Sequence, residues 1–302
     1  MPKLKHRPLQ VAKPEMMVGG RAKEVLDTTS DFGTYTARFS ERLRWSASDW
    51  RVLPTSWRQK LRKRFARPVR GPFDINFEGM KLRLYPAENH CDRIIFGRSD
   101  LPERAEHEAL LPLLTPGMVF VDIGANVGSY SCFVGTRCRA LGGGDATLIA
   151  LEPHPRTVQK LRFNLTANGL PTENVVQAAA GPEVAQMELW SDGGSNIGHT
   201  SLLPEGTANA KVSETVAVRP LLEIVQEAGV EQIDVLKIDV EGFEDRALAP
   251  FFDTAPDDLL PKHILIEIAH QSLWEHDLLH IFSAKNYEAG FRTAENLLLS
   301  RK

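Results

Sequence analysis

Cysteine is scarce in this chain. Cys91, Cys132 and Cys138 are the three that occur in 302 residues. None stands in a C-x-x-C pair or beside histidines at zinc-ligand spacing, which excludes a disulfide scaffold and a zinc ribbon. Ordinary thiols in a reducing compartment are expected instead. Long apolar runs are also missing, since no stretch approaches the roughly 20 residues needed to span a bilayer. The opening MPKLKHRPLQVAKPE lacks the apolar core of a secretory signal, so the expected setting is the cytoplasm. Internal repeats and low-complexity tracts are absent. The length suits one α/β domain with an extension, or two small domains.

What is present is an uneven charge. The net value of −3 conceals a first 70 residues with 17 Lys+Arg against 6 Asp+Glu, and a remainder with 19 against 33. A basic arm on an acidic body is implied, and the acidic body argues against a nucleic-acid substrate. Residues 1–54 show weak periodicity, and part of them is expected to be disordered. Residues 56–67 read as a basic helix, with Trp57, Leu61 and Phe65 forming one apolar stripe. Such a stripe usually packs on its own domain; the alternative is peripheral contact with an anionic membrane or a partner. The expected division is a basic extension over 1–70 and a catalytic domain over 71–302, in which residues 71–115 lead into the core.

From Gly71 the pattern changes. FDINF and KLRLY alternate around Glu78-Gly79 as a hairpin, and residues 103–114 read as a helix stopped by Thr115-Pro116-Gly117. Apolar strands at 118–122, 147–152, 174–179, 233–239 and 263–269 then interleave with helical stretches at 127–139, 155–168, 220–229 and after Gly242. This alternation predicts a Rossmann-like α/β fold with a mainly parallel sheet covered by helices on both faces. A helix at 275–285 follows, and YEAGFRTA and NLLLSRK suit an antiparallel edge pair.

The most informative run is VFVDIGANVGSYS, residues 119–131. A buried strand ends in Asp122, a turn carries Gly124 and Gly128, and a helix begins near Val127. Glycines allow positive φ and close approach of the backbone to a ligand, and helix amides receive a carboxylate. The nicotinamide fingerprint G-x-G-x-x-G does not fit the G-x-x-x-G spacing, and the G-K-[ST] of a phosphate loop is absent. An amino-acid-bearing nucleoside fits better. Asp122 suits its ammonium, and Glu152, ending the second strand before Pro153, suits two ribose hydroxyls. Turn residues Ala125 and Asn126 complete the expected cofactor set with Gly124 and Gly128.

The runs VDIGANVGSYS, LEPHPRTVQKLRFNLTANGL and DVLKIDVEGFEDRAL resemble the FkbM family of methyltransferases. The agreement runs from about Phe73 to Ile268 and includes the loop GGSNIGHTSL. The resemblance implies a class I methyltransferase fold of seven strands in the order 3-2-1-4-5-7-6, with strand seven antiparallel. It also implies S-adenosyl-L-methionine as cofactor and, commonly, transfer to a hydroxyl oxygen of a small molecule, sugar or glycan. Asp239 then stands where related enzymes place a polar group facing the methyl. Asp239 and Glu241 are the expected substrate-orienting or proton-accepting groups, held by Lys237, since charges in an apolar strand are costly unless paired. His199 is a candidate base in the Gly-rich loop, where Asn196 and Ser201 are candidate orienting groups. Adenine contacts are expected near residues 179–181, with Pro153 or His154 against the ring. Glu267 and His270 lie near enough in the pattern to admit Mg²⁺, but no metal is expected to be required. Two alternatives stay open: an N-methyltransferase acting on another acceptor, and an inactive cofactor-binding scaffold.

Overall fold

The structure is a computed structural model that describes residues 25–50, 52–191, 200–207 and 210–302. Helices α1 (Phe39–Ser48) and α2 (Thr55–Leu61) come first, the second running into a π-helical turn at Arg62–Ala66. Strands β1 (Phe73–Phe77) and β2 (Met80–Leu84) form the expected hairpin, with Phe73 opposite Leu84. Helices α3 (His90–Arg98) and α4 (Arg104–Leu110) lead to the core.

The core alternates as the sequence predicts. It runs β3 (Val119–Ile123), α5 (Ser129–Leu141), β4 (Thr147–Leu151), α6 (Pro155–Ala167) and β5 (Val175–Val176). A second sheet interrupts the order, built from β6 (Ala179–Ala180), β7 (Ala185–Ser191), β8 (Thr200–Ser201) and β9 (Lys211–Arg219). The chain then returns through α7 (Leu221–Glu227), β10 (Val235–Ile238), α8 (Glu244–Thr254) and β11 (His263–Glu267). It finishes with α9 (Leu278–Ala284), β12 (Tyr287–Arg292) and β13 (Asn296–Arg301).

The main sheet has seven strands in the order β5-β4-β3-β10-β11-β13-β12. Its five central and early strands are parallel, and β13 runs antiparallel to both neighbours. Numbered along the sheet alone, that is 3-2-1-4-5-7-6, the Rossmann-like class I methyltransferase arrangement. Period-two alternation explains the two cores. Phe120 and Val235 face the layer containing α3, α5 and α6, whereas Val121, Ile123, Leu236 and Ile238 face α7, α8 and α9. Each fully buried Leu, Ile or Phe side chain contributes about 1.5–3 kcal/mol.

Two sequence expectations change, and part of the extension is seen to be ordered. The strand expected over 174–179 is split: Val175–Val176 pairs with β4 in the main sheet, while Ala179–Ala180 pairs with β9 in the second. Part of the weakly periodic start is ordered. Arg83, itself buried, clamps Asp74 at 2.7 and 2.9 Å and donates to the carbonyls of Asp27, Ser30 and Asp31. Trp45 is fully buried and donates from its indole to the Val69 carbonyl at 3.0 Å. The stripe on residues 56–67 is not packed on the domain, because Trp57 is 62% and Phe65 51% exposed. The helix instead turns Ala66 inward. Among the described residues, no helix is long and apolar enough to cross a membrane.

Candidate active site

At the carboxyl end of β3 the chain must turn at once beneath its neighbour. Gly124 has φ +74°, and a Cβ there would lie 2.0 Å from the Asp239 carbonyl oxygen, so only glycine fits. The amides of Gly124 and Ala125 donate to the Leu151 carbonyl at 3.0 and 2.9 Å. Asn126 sits at φ 51°. Its amide donates to Glu152 Oε2 at 3.0 Å, and the His154 amide donates to Oε1 at 2.9 Å. Two backbone donors thus fix this carboxylate at the end of β4. Burial outweighs them and pushes its pKa up to about 7.

Beneath the loop, β10 and β3 pair in register with Lys237 beside Asp122. Lys237 is 4% exposed. Its ammonium donates to the Gly124 carbonyl at 3.1 Å and lies 3.7 Å from Asp122 Oδ1 and 3.6 Å from Asp239 Oδ2. Burial disfavours this cation, but Asp239, Asp122 and Glu103 outweigh burial and hold its pKa above the ordinary lysine value. Asp122 is 1% exposed and accepts from Ser131 Oγ at 2.6 Å. It therefore lies under the turn, joining α5 to β3, and does not line the cleft. Ala125 and Gly128 are also set back, and Gly128 packs where a Cβ would meet Leu161 at 2.6 Å.

The cleft above this layer is lined by Gly124, Asn126, Glu152, Pro153, Asp239 and Glu241. It brings together six of the eleven residues proposed from sequence, with Lys237, Asp122, Ala125 and Gly128 directly beneath. His199 and Asn196 lie outside the described residues. Ser201 is buried and spends its hydroxyl on the Glu241 carbonyl and the Leu203 amide, which makes it a brace for the loop. His154 caps α6 through Nδ1, leaving Pro153 at the cleft wall.

One acidic group was missed in the sequence. Glu103 lines the cleft at the start of α4, in the left-handed conformation at φ 50°, and accepts from Tyr130 Oη at 2.7 Å. Burial and then the Asp239 charge push its pKa up to about 7, against the pull of Lys237 and Tyr130. No sequence signal marks it, because its helix reads as a surface lead-in to the core. The second sheet and the turn after β10 supply an apolar wall of Ala178, Ala179, Ala180, Leu189, Leu202 and Phe243. Period-two alternation in VSETVAVR was the available signal for that sheet.

Beyond β10, Glu241 stands at φ 57° with Oε2 3.1 Å from His270 Nε2. Burial raises the Asp239 pKa, and burial with the charges of Asp239 and Glu241 pushes Glu267 up to about 11. Ligand atoms of Glu241, Glu267 and His270 lie within 4.8 Å of one another, a spacing that a cation can bridge.

A family model described as the methyltransferase FkbM domain matches residues 122–292, more than half of the chain. A search of curated proteins gave no match. Similar solved structures include a precorrin-6y C5,15-methyltransferase from Geobacter metallireducens, at 14% identity and a TM-score of 0.39, covering 67% of this chain and 90% of that one. A SAM-dependent methyltransferase from Aquifex aeolicus shows 12% identity and a TM-score of 0.36, covering 67% and 93%. An rRNA methylase from Streptococcus thermophilus shows 10% identity and a TM-score of 0.37, covering 67% and 97%. On the extent of the family match, the chain belongs to the FkbM methyltransferase family.

Proposed function

We propose that this protein uses S-adenosylmethionine to methylate a hydroxyl oxygen on a small molecule, sugar or glycan. The observation that carries the proposal is the pairing of two carboxylates, Glu103 and Asp239, in the cleft that also holds Glu152 and the Gly124 turn. The residues suit an adenosyl amino acid. At Gly124 the place of a side chain is taken by the Asp239 carbonyl, so the turn packs directly against the end of β10. Glu152 is held by two amides and keeps acceptor capacity for ribose hydroxyls. Ala179 and Ala180, with Phe243 and Pro153, offer apolar surface for a purine. When bound, the cofactor supplies an electrophilic methyl with its own leaving group.

The protein's task is then alignment and proton removal. Asp239 orients the acceptor hydroxyl. Glu103, with a pKa near 7, accepts the hydroxyl proton as the oxygen takes up the methyl. Lys237 favours the ionised form of Asp239 against the effect of burial, and ties the Gly124 turn to β10. A cation already stands at this centre, so activity is expected to survive chelation of Mg²⁺. No nucleic-acid acceptor is expected, given the acidic body. The test is transfer of a radiolabelled methyl group to a panel of hydroxylated metabolites and glycans, with amines and RNA as controls. Label on a hydroxyl supports the reading; label only on amines or RNA overturns it.

A further inference from the structure

We propose that the helical segment from Arg38 to Arg70 docks on an anionic phospholipid surface, inserting the apolar stripe of α2 and its π-helical turn into the headgroup region. The first observation is where apolar side chains are exposed. All four exposed aromatic side chains among the described residues fall in this segment: Phe39, Trp50, Trp57 and Phe65. Trp57 and Phe65 share the i, i+4, i+8 stripe with Leu61, and the domain core does not take them up. Phe39 and Leu43 repeat the pattern on α1, one turn apart and both exposed. The α1–α2 loop adds Trp50 and Val52, both exposed. Exposed aromatics concentrated in one segment mark an interaction surface.

Charge identifies the occupant. Between Arg38 and Arg70 there are eleven Lys+Arg, against Glu41 and Asp49 alone. Asp49 is buried and neutralised by Arg62 and Arg98, each at 2.5 Å. Lys60 and Arg64 follow Trp57 by three and seven residues, which sets cations along one edge of the stripe. Lys63 and Arg64 are exposed. Indole rings flanked by Lys and Arg stems suit the boundary between headgroups and acyl chains, where ring and stem are buried and the charged head stays wet. The helices are too short to span a bilayer, so the contact is peripheral. The basic residues of 1–24 add to the same sign.

The test is co-sedimentation of the full chain with phosphatidylcholine vesicles, with and without 30% phosphatidylglycerol. The variants are Trp57→Ser/Phe65→Ser and Lys60→Glu/Arg64→Glu. All four residues lie on the helix surface outside the cleft, and retained binding of S-adenosylhomocysteine verifies each variant's fold. The expected result is binding to anionic vesicles alone, weakened by salt. Each double variant should lose about tenfold or more in partitioning. Three results would overturn the proposal. One is no binding to anionic vesicles at low salt. Another is binding untouched by the aromatic variant, which would leave only diffuse charge attraction. The third is a stripe-dependent dimer, or RNA complex, that excludes vesicles.

Discussion

Replacing Lys237 by methionine tests the charge architecture under the cleft. The side chains are similar in length and Met packs adaptably, so the change removes mainly the ammonium. That ammonium lies 3.7 Å from Asp122 Oδ1 and 3.6 Å from Asp239 Oδ2, and it donates to the Gly124 carbonyl at 3.1 Å. Removing one partner from a buried ion pair costs about 3–5 kcal/mol, because the other charge stays buried without compensation. The pH dependence follows from the direction of each shift. The Lys237 pKa is raised, so its contribution is complete below the ordinary lysine value of 10.5 and is lost only as pH climbs through the folded value. In the variant, Asp239, already raised by burial, rises further. The deficit then grows with pH only above the point at which Asp239 ionises in the wild-type fold, since below it both folded forms carry the protonated acid. Urea unfolding at pH 5 and pH 8 reads it directly. A loss of about 3–5 kcal/mol at pH 8 and a clearly smaller one at pH 5 is expected. Equal losses at both pH values, or a loss under about 1 kcal/mol at pH 8, would refute the reasoning.

Further predictions concern single groups. Glu103→Gln should lower kcat by about 10²- to 10⁴-fold and abolish the rising limb near pH 7 expected of wild type in kcat against pH; an unchanged profile would remove Glu103 as the base. Gly124→Ala should cost about 2–5 kcal/mol in thermal unfolding, from the positive φ and the clash with the Asp239 carbonyl; a stable variant with normal cofactor affinity would contradict the close approach of Gly124 to that carbonyl. Glu267→Gln should raise the melting temperature at pH 8 more than at pH 5. The Glu267 pKa is raised to about 11, so holding it in the fold costs more as pH rises above about 4.5. A neutral effect at pH 8 would argue against its burial among Asp239, Glu241 and Glu244.

The sheet was legible because each of its signals is local. Val119–Asp122 and Val235–Ile238 are continuous apolar runs broken only by Asp122 and Lys237, and those two turn out to be neighbours in register. Glu152 could be placed because it ends a strand, where the fold puts ligand contacts. Glu103 was not legible: it reaches the cleft through a left-handed residue before α4, and side-chain identity does not encode that turn. The second sheet was passed over because the tract around residues 192–199 reads as a loop. The pairing of β7 with β9 across it is long-range. Asp122 illustrates a different limit. Strand alternation gives the face it occupies, but Ser131 and Lys237 decide that it braces the turn.

The most direct test of the central claim is calorimetric titration of the protein with S-adenosylmethionine, S-adenosylhomocysteine and NAD, beside a Glu152→Ala variant. Saturable binding of both adenosyl ligands is predicted, with none for NAD. The variant should bind about tenfold to 100-fold more weakly, as expected for loss of charge-assisted bonds to the ribose hydroxyls. A folded protein that binds neither adenosyl ligand, or a variant that binds them as wild type does, would contradict the account.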